Sequence, residues 1–194
     1  MQKTVAARVL ALSLLVATSG CLHEVTLNAK GGGTVTVTYH VNDKADLDKA
    51  KTQMQSSSVK VTSAELVGTG AESHGVFKLE FEDITKLSSA PYFKDLTVTR
   101  ADGSTPGTKL LTGKIKHPKP SKLPDKIVDI YGKEMKIAVT FPGEVVASNG
   151  KVSGGNTVTW TWALQEFYNT AELTMTATYK EGGAPGTPAA KTGG

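Results

Sequence analysis

The residues in this 194-residue chain with chemistry to offer are one cysteine, four histidines, one dense group of acids, two glycine runs, a spaced lysine run and a tryptophan pair. Catalysis needs a nucleophile beside a base, paired acids, or a metal. The histidines, His23, His40, His74 and His117, are far apart, and none stands near another at metal-ligand spacing. With one cysteine there is no thiolate set either, so no metal site is expected and each histidine is read as a surface residue. Glu80, Glu82 and Asp83 are the densest acids. A like-charge pair can raise a pKa for proton transfer, but these alternate with Phe77, Leu79 and Phe81 and read as the solvated face of a strand. Asp43, Asp46 and Asp48 lack the glycine and terminal glutamate of a calcium loop. They read as the first turn of a helix, where negative charge is favourable.

The glycine runs at 31–33 and 68–70 precede strands, whereas a phosphate cradle needs a helix after the loop. Lys114, Lys116, Lys119, Lys122 and Lys126 form a spaced basic run. It is read as a solvated loop; the alternative is contact with anionic head groups. No aromatic residues interleave it, which counts against single-stranded nucleic acid. Trp160 and Trp162 share one strand face with Val158 and Leu164. Two readings stand side by side for Val158, Trp160 and Trp162: ordinary core, or the lining of an apolar ligand pocket with few polar groups. No enzyme activity, cofactor or nucleic-acid partner is expected.

Cys21 belongs with what precedes it. Lys3 and Arg8 make a basic start, Val9 to Ala17 is apolar, and Thr18, Ser19 and Gly20 are small. That order is a secretory signal over residues 1–20, too short to span a bilayer. Small residues before a cysteine resemble the lipobox of bacterial lipoproteins. Ser19 and Gly20 fit it, and Thr18 stands where that family prefers Leu. The resemblance implies a diacylglyceryl group on the Cys21 thiol and cleavage just before it. A lone cysteine in an exported chain has no internal disulfide partner, and two acyl chains suffice for stable anchoring. The expected location is the cell envelope, anchored to the membrane through Cys21. With Leu22 rather than aspartate after the cysteine, lipoprotein sorting habits imply the outer membrane, facing the periplasm, in a host with two membranes.

The leader holds two of the 22 basic residues and none of the 18 acids, so the remainder carries a net charge of +2. That is too balanced to argue for nucleic acid. Without disulfides the domain, expected over residues 21–180, must rest on its apolar core. Period-2 alternation marks strands at Thr34–Val41, Met135–Phe141, Val158–Leu164 and Leu173–Tyr179. Weaker strands are expected near Cys21–Ala29, Val59–Leu66, Val76–Phe81, Leu96–Arg100 and Thr108–Ile115. Lys30 to Gly33 should close a first hairpin. Asn149-Gly150 should close another between Val145–Ser148 and Lys151–Ser153, because both residues accept positive φ. Asp102-Gly103 offers the same chemistry. Leu47, Ala50 and Met54 share one face of a helix capped at Asn42 or Asp43, and a shorter helix starts at Asp83. The sum is an α+β fold, a mostly antiparallel sheet with one or two helices on one face and a strand-rich C-terminal part. The Pro-Lys segment at 117–126 is a long loop or a boundary. Glu181 to Gly194 reads as a disordered tail, with no apolar run and so no second anchor.

Phe141-Pro142-Gly143, the Asn149-Gly150 turn, and Asn156-Thr157-Val158-Thr159-Trp160 together resemble the C-terminal part of the LppM-like domains of bacterial lipoproteins. A closing strand over Glu172–Tyr179 fits as well. The resemblance implies an envelope lipoprotein with an α+β domain and affinity for a lipid or glycolipid ligand. It carries no ligand-binding residue to a numbered position. The competing reading is a structural or protein-interaction lipoprotein without a small ligand.

Overall fold

Threonine-rich alternation needs only one apolar face to be covered, and the chain covers it with a second sheet. The computed structural model describes residues 21–117, 120, 122–124, 128 and 133–182. The signal region, most of the Pro-Lys segment and the tail from 183 lie outside the described residues. Seven strands form the larger sheet: β1 (Cys21–Leu27), β2 (Gly33–His40), β3 (Val59–Val67), β4 (His74–Phe81), β7 (Glu134–Thr140), β9 (Lys151–Ser153) and β10 (Thr157–Ala163). Their order is β3-β4-β2-β1-β7-β10-β9. The smaller sheet holds β5 (Leu96–Asp102), β6 (Thr108–Lys116), β8 (Val145–Ser148) and β11 (Glu172–Lys180), in the order β5-β6-β11-β8. All pairings are antiparallel except β1 with β7, where Cys21 stands beside Met135 and Val25 beside Val139. The fold is α+β.

Register sets the faces. Val35 lies between Val25 and Leu79, and Val139 between Val25 and Val158, so one apolar row crosses the larger sheet. The opposite face carries Thr34, Thr36, Lys78, Glu80, Lys136 and Thr159, all exposed or half-buried. Of the acids read as a solvated strand face, Glu80 is there and exposed; Glu82, also exposed, and the half-buried Asp83 follow β4, and Asp83 caps a 3₁₀ turn by accepting from the Thr85 amide at 2.9 Å. The first hairpin turns at Lys30 to Gly33, where Gly31 has φ +92, a conformation open to glycine.

Two coverings share the apolar face. Over β3 and β4 lies α1 (Lys44–Gln53), capped by the Asp43 carboxylate accepting from the Asp46 amide at 2.9 Å. Leu47, Ala50 and Met54 are buried beneath it. Gly75 admits it, since a Cβ there would meet Phe77 and Leu47. Over β1, β7 and β10 lies the smaller sheet, its inward row being Leu173, Met175, Ala177 and Tyr179. Elements on either side of the Pro-Lys segment share sheets, β1 with β7 and β6 with β11.

Three expectations need correction. Val145–Ser148 and Lys151–Ser153 are not the arms of one hairpin: β8 pairs with β11 and β9 with β10, in different sheets. Gly150 is not among the positive-φ glycines. It is needed for close approach, because a Cβ would stand 2.6 Å from Val158 and 2.8 Å from the Trp160 Nε1. Asn149 is taken up by tying the sheets together. Its Oδ1 accepts from Trp160 Nε1 at 2.7 Å and from the Thr176 amide at 2.8 Å, while its Nδ2 donates to the Thr174 carbonyl at 2.8 Å. Second, Leu164 does not continue the β10 alternation but opens α2 (Leu164–Asn169), with Leu164 and Phe167 inward. Third, Glu181 is part of the fold, not of a tail. Its amide donates to the Gly107 carbonyl at 2.9 Å, and its carboxylate meets Arg100 at 3.1 Å.

Candidate functional site

The two sheets do not close on each other along their whole length. Between them lies a cavity of about 290 Å³. Its floor is the apolar row of the larger sheet, where His23 and Val25 of β1, Val139 of β7 and Trp160 of β10 face inward. Its roof is β5, β6 and β11 of the smaller sheet, through Val98, Leu111, Ile115 and Met175. Ile84, Leu87 and Phe93, from the 3₁₀ turns at Ile84–Ser89 and Pro91–Phe93, close one side. The side chains with most access to solvent, Asp95, Tyr168 and the half-buried His117, mark the rim.

The space has a local cause. On β6 the inward positions run Leu111, Gly113, Ile115, so the middle of the row lacks a side chain. Gly113 stands opposite Met175. Met175 lies over the bare glycine: a Cβ there would stand 2.9 Å from its Cε, the end that must move, and 3.7 Å from its Cβ, an ordinary contact. The missing side chain at Gly113 thus adds to the space, with Met175 taking up part of it.

Of the three side chains expected to line a pocket, the structure brings one to it. Trp160 is 5% exposed and lines the cavity, its Nε1 held by Asn149. Val158 is fully buried in the same row but beyond the cavity, against Gly150. Trp162 is half-buried at the end of β10 and packs on Phe167, ring centroids 5.9 Å apart. Trp162 thus supports a lining ring rather than lining the space itself.

Two residues that sequence reasoning passed over supply the polarity. His23 was expected at the surface, as was His40; both are 8% exposed. The signal was present, since His23, Val25 and Leu27 alternate on β1 and must share a face. His23 Nε2 lies 3.1 Å from the Tyr92 hydroxyl, and their rings stack at 5.9 Å. Its Nδ1 has no hydrogen-bond partner among the described residues. Burial pushes the His23 pKa down to about 4, so the imidazole is neutral at pH 7. Burial, first, and the neighbouring Tyr39 and Cys21 then hold the Tyr92 phenol well above its ordinary value.

Cys21 opens β1 on the same face as His23, two residues and about 7 Å away along the strand. It is half-buried against the core, and burial raises its thiol to about 11. As a free thiol it is therefore a poor nucleophile at neutral pH. Among the described residues no three histidine, cysteine or acidic side chains converge as metal ligands, and no helix is long and apolar enough to cross a membrane. His40 and His74 meet edge to face, 6.3 Å between centroids, outside the set of residues that line the cavity and without a third ligand among the described residues.

No curated protein sequence matches the chain. Among solved structures it is similar to the NMR structure of the folded domain of the Mycobacterium tuberculosis LppM protein. That similarity is at 12% identity and a TM-score of 0.46, covering 82% of this chain and 88% of that one. The LppM domain model matches residues 23–181, from β1 through β11, and the chain therefore belongs to the LppM family.

Proposed function

We propose that this protein is a lipid-anchored envelope lipoprotein whose domain binds a lipid or another apolar ligand between its two sheets. The observation that carries the reading is the cavity. Protein interiors are packed like organic crystals, and an empty apolar space costs about 24 cal/mol per Å³. The space of about 290 Å³ is walled mostly by apolar side chains and opens to solvent at its rim, so without a ligand that wall faces water. Water is a poor filler, because most of the lining offers no hydrogen-bond partner. An alkyl chain regains about 0.8 kcal/mol per buried methylene. The groups around the space support binding, not catalysis: two histidines, phenols and one carboxylate, with no paired base and nucleophile among the described residues.

The position of Cys21 supports the anchoring half. A diacylglyceryl group on its thiol would place the cavity end of β1 next to the bilayer, where an apolar ligand is picked up or delivered. Leu22 after it favours the outer membrane in a host that has one.

Native mass spectrometry of the protein from envelope-containing cells tests the binding half. Beyond the covalent anchor on Cys21, a non-covalent adduct with the mass of a lipid, lost on denaturation, is expected either as isolated or after incubation with host lipid extract. A mass with no non-covalent adduct under both conditions would sink the ligand reading and leave a tethered interaction domain. Fractionation of Cys21→Ser tests the anchor: the protein should leave the membrane fraction, and retention there would count against a thiol-linked lipid.

A further inference from the structure

The His23–Tyr92 pair carries a surplus that does not depend on which imidazole tautomer is present. Neutral imidazole has one N–H and one bare nitrogen, and the phenol has one O–H. Their single contact, 3.1 Å between Nε2 and the hydroxyl, uses one of these two protons. If Tyr92 donates to Nε2, the proton sits on Nδ1, which has no partner among the described residues. If Nε2 donates to Tyr92, the phenol proton is the one left over. Either way one buried donor lacks an acceptor, and buried donors are normally paired. Both side chains line the cavity, and because Nδ1 itself is enclosed the pair meets a ligand through the Tyr92 hydroxyl, with Nε2 donating to it from behind.

The other polar groups there are accounted for differently. Trp160 Nε1 donates to Asn149. His117 sits at the rim, its Nδ1 2.8 Å from the Thr170 carbonyl. No lysine or arginine is among the described lining residues, and the exposed Asp95 puts a carboxylate at the rim. A carboxylate or phosphate brought inside would lose its hydration, meet no cation, and pass an acid of its own sign.

We propose that the cavity selects an apolar chain bearing one uncharged oxygen acceptor, an ester carbonyl or a hydroxyl, and that the His23–Tyr92 pair is the group that recognises it. This rests on the reading of the cavity as a ligand site and names the ligand's polar chemistry. A neutral acylglycerol or a fatty alcohol fits; a free fatty acid does not. The pair is a specificity element, since the alkyl part is held by the remaining wall.

A matched set of probes on the full-length protein tests this: the alkane, the primary alcohol, the methyl ester and the carboxylate of one chain length. Each competes at pH 7 with N-phenylnaphthylamine, a neutral dye that fluoresces in apolar cavities. The ester and the alcohol should bind about tenfold or more tighter than the alkane and the carboxylate, in line with one satisfied buried donor. In Tyr92→Phe/His23→Leu the alkane should still displace the dye, showing the cavity intact, and the preference for ester over alkane should vanish. A carboxylate that matches the ester, or a preference that survives the double variant, would overturn the assignment while leaving the cavity a ligand site. If neither the dye nor any of the four chains binds the native protein, the ligand site falls, and this inference with it.

Discussion

The space between the sheets has a filled end and an open end, and the two are built from the same strands. At the filled end Phe141 and Tyr179 pack at 4.6 Å between ring centroids, beside Val158 and Leu27, all 4% exposed or less. Each polar side chain that enters has at least one partner. The Tyr179 hydroxyl accepts from Arg100 Nε at 2.7 Å, and Arg100 Nη2 donates to the Ala29 carbonyl at 2.9 Å. Asn149 makes three bonds to groups of both sheets. At the open end Gly113 leaves a gap and His23 carries a nitrogen with no partner. The same sheets thus pack closely and pair their polar side chains at one end and stop short at the other, which separates the part that holds the fold from the part proposed to hold a ligand.

Breaking the filled end should cost most. Tyr179→Ala removes a fully buried ring and strands Arg100, and should lower stability by about 4 kcal/mol in chemical denaturation, with the cavity-site variants costing less. Next comes the acid sensitivity of the open end. The His23 pKa falls from 6.5 to about 4 on folding, so between these values the unfolded chain binds a proton that the folded chain does not. Stability should decline as pH drops from about 6.5 to 4, by roughly 3 kcal/mol, and the contribution should flatten below that. The groups facing His23 are Tyr92 and Cys21, both uncharged in this range, with Asp95 and His117 lining the cavity beyond. The last two remain in His23→Phe, so a flattened profile in that variant isolates His23, and an unchanged slope would refute its assignment as buried and neutral. Asn149→Ala leaves the Trp160 and Thr176 donors unanswered and should cost about 2 kcal/mol by thermal melting. Glu80→Gln, on the solvated face, should stay within about 0.5 kcal/mol.

Much of this fold was legible in the sequence, where local pattern decides. Alternation located β2, β7 and β11, Asp43 with Leu47 and Ala50 located α1, and Gly31 marked the first turn. The misses share a cause: they depend on what stands opposite. Asn149-Gly150 has the composition of a tight hairpin, yet the glycine is there because Trp160 and Val158 press against it from another strand. Leu164 fits a period of two as well as it opens a helix. The parallel pairing of β1 with β7 joins segments more than a hundred residues apart. The cavity is of the same kind: Trp160 was visible as a large apolar residue, but Gly113 matters only because Met175 faces it. His23 was readable from its alternation with Val25 and Leu27, and only its partner Tyr92 needed the structure.

The most direct test of the central claim is to fill the open end from within. Gly113→Leu puts a side chain into the gap, with only the flexible Met175 terminus to move. The protein should fold with stability equal to or above the native, and the non-covalent lipid adduct expected of the native protein in native mass spectrometry should be absent. An adduct retained at native occupancy in a well-folded Gly113→Leu would contradict the account, because the ligand would then sit somewhere other than between the sheets.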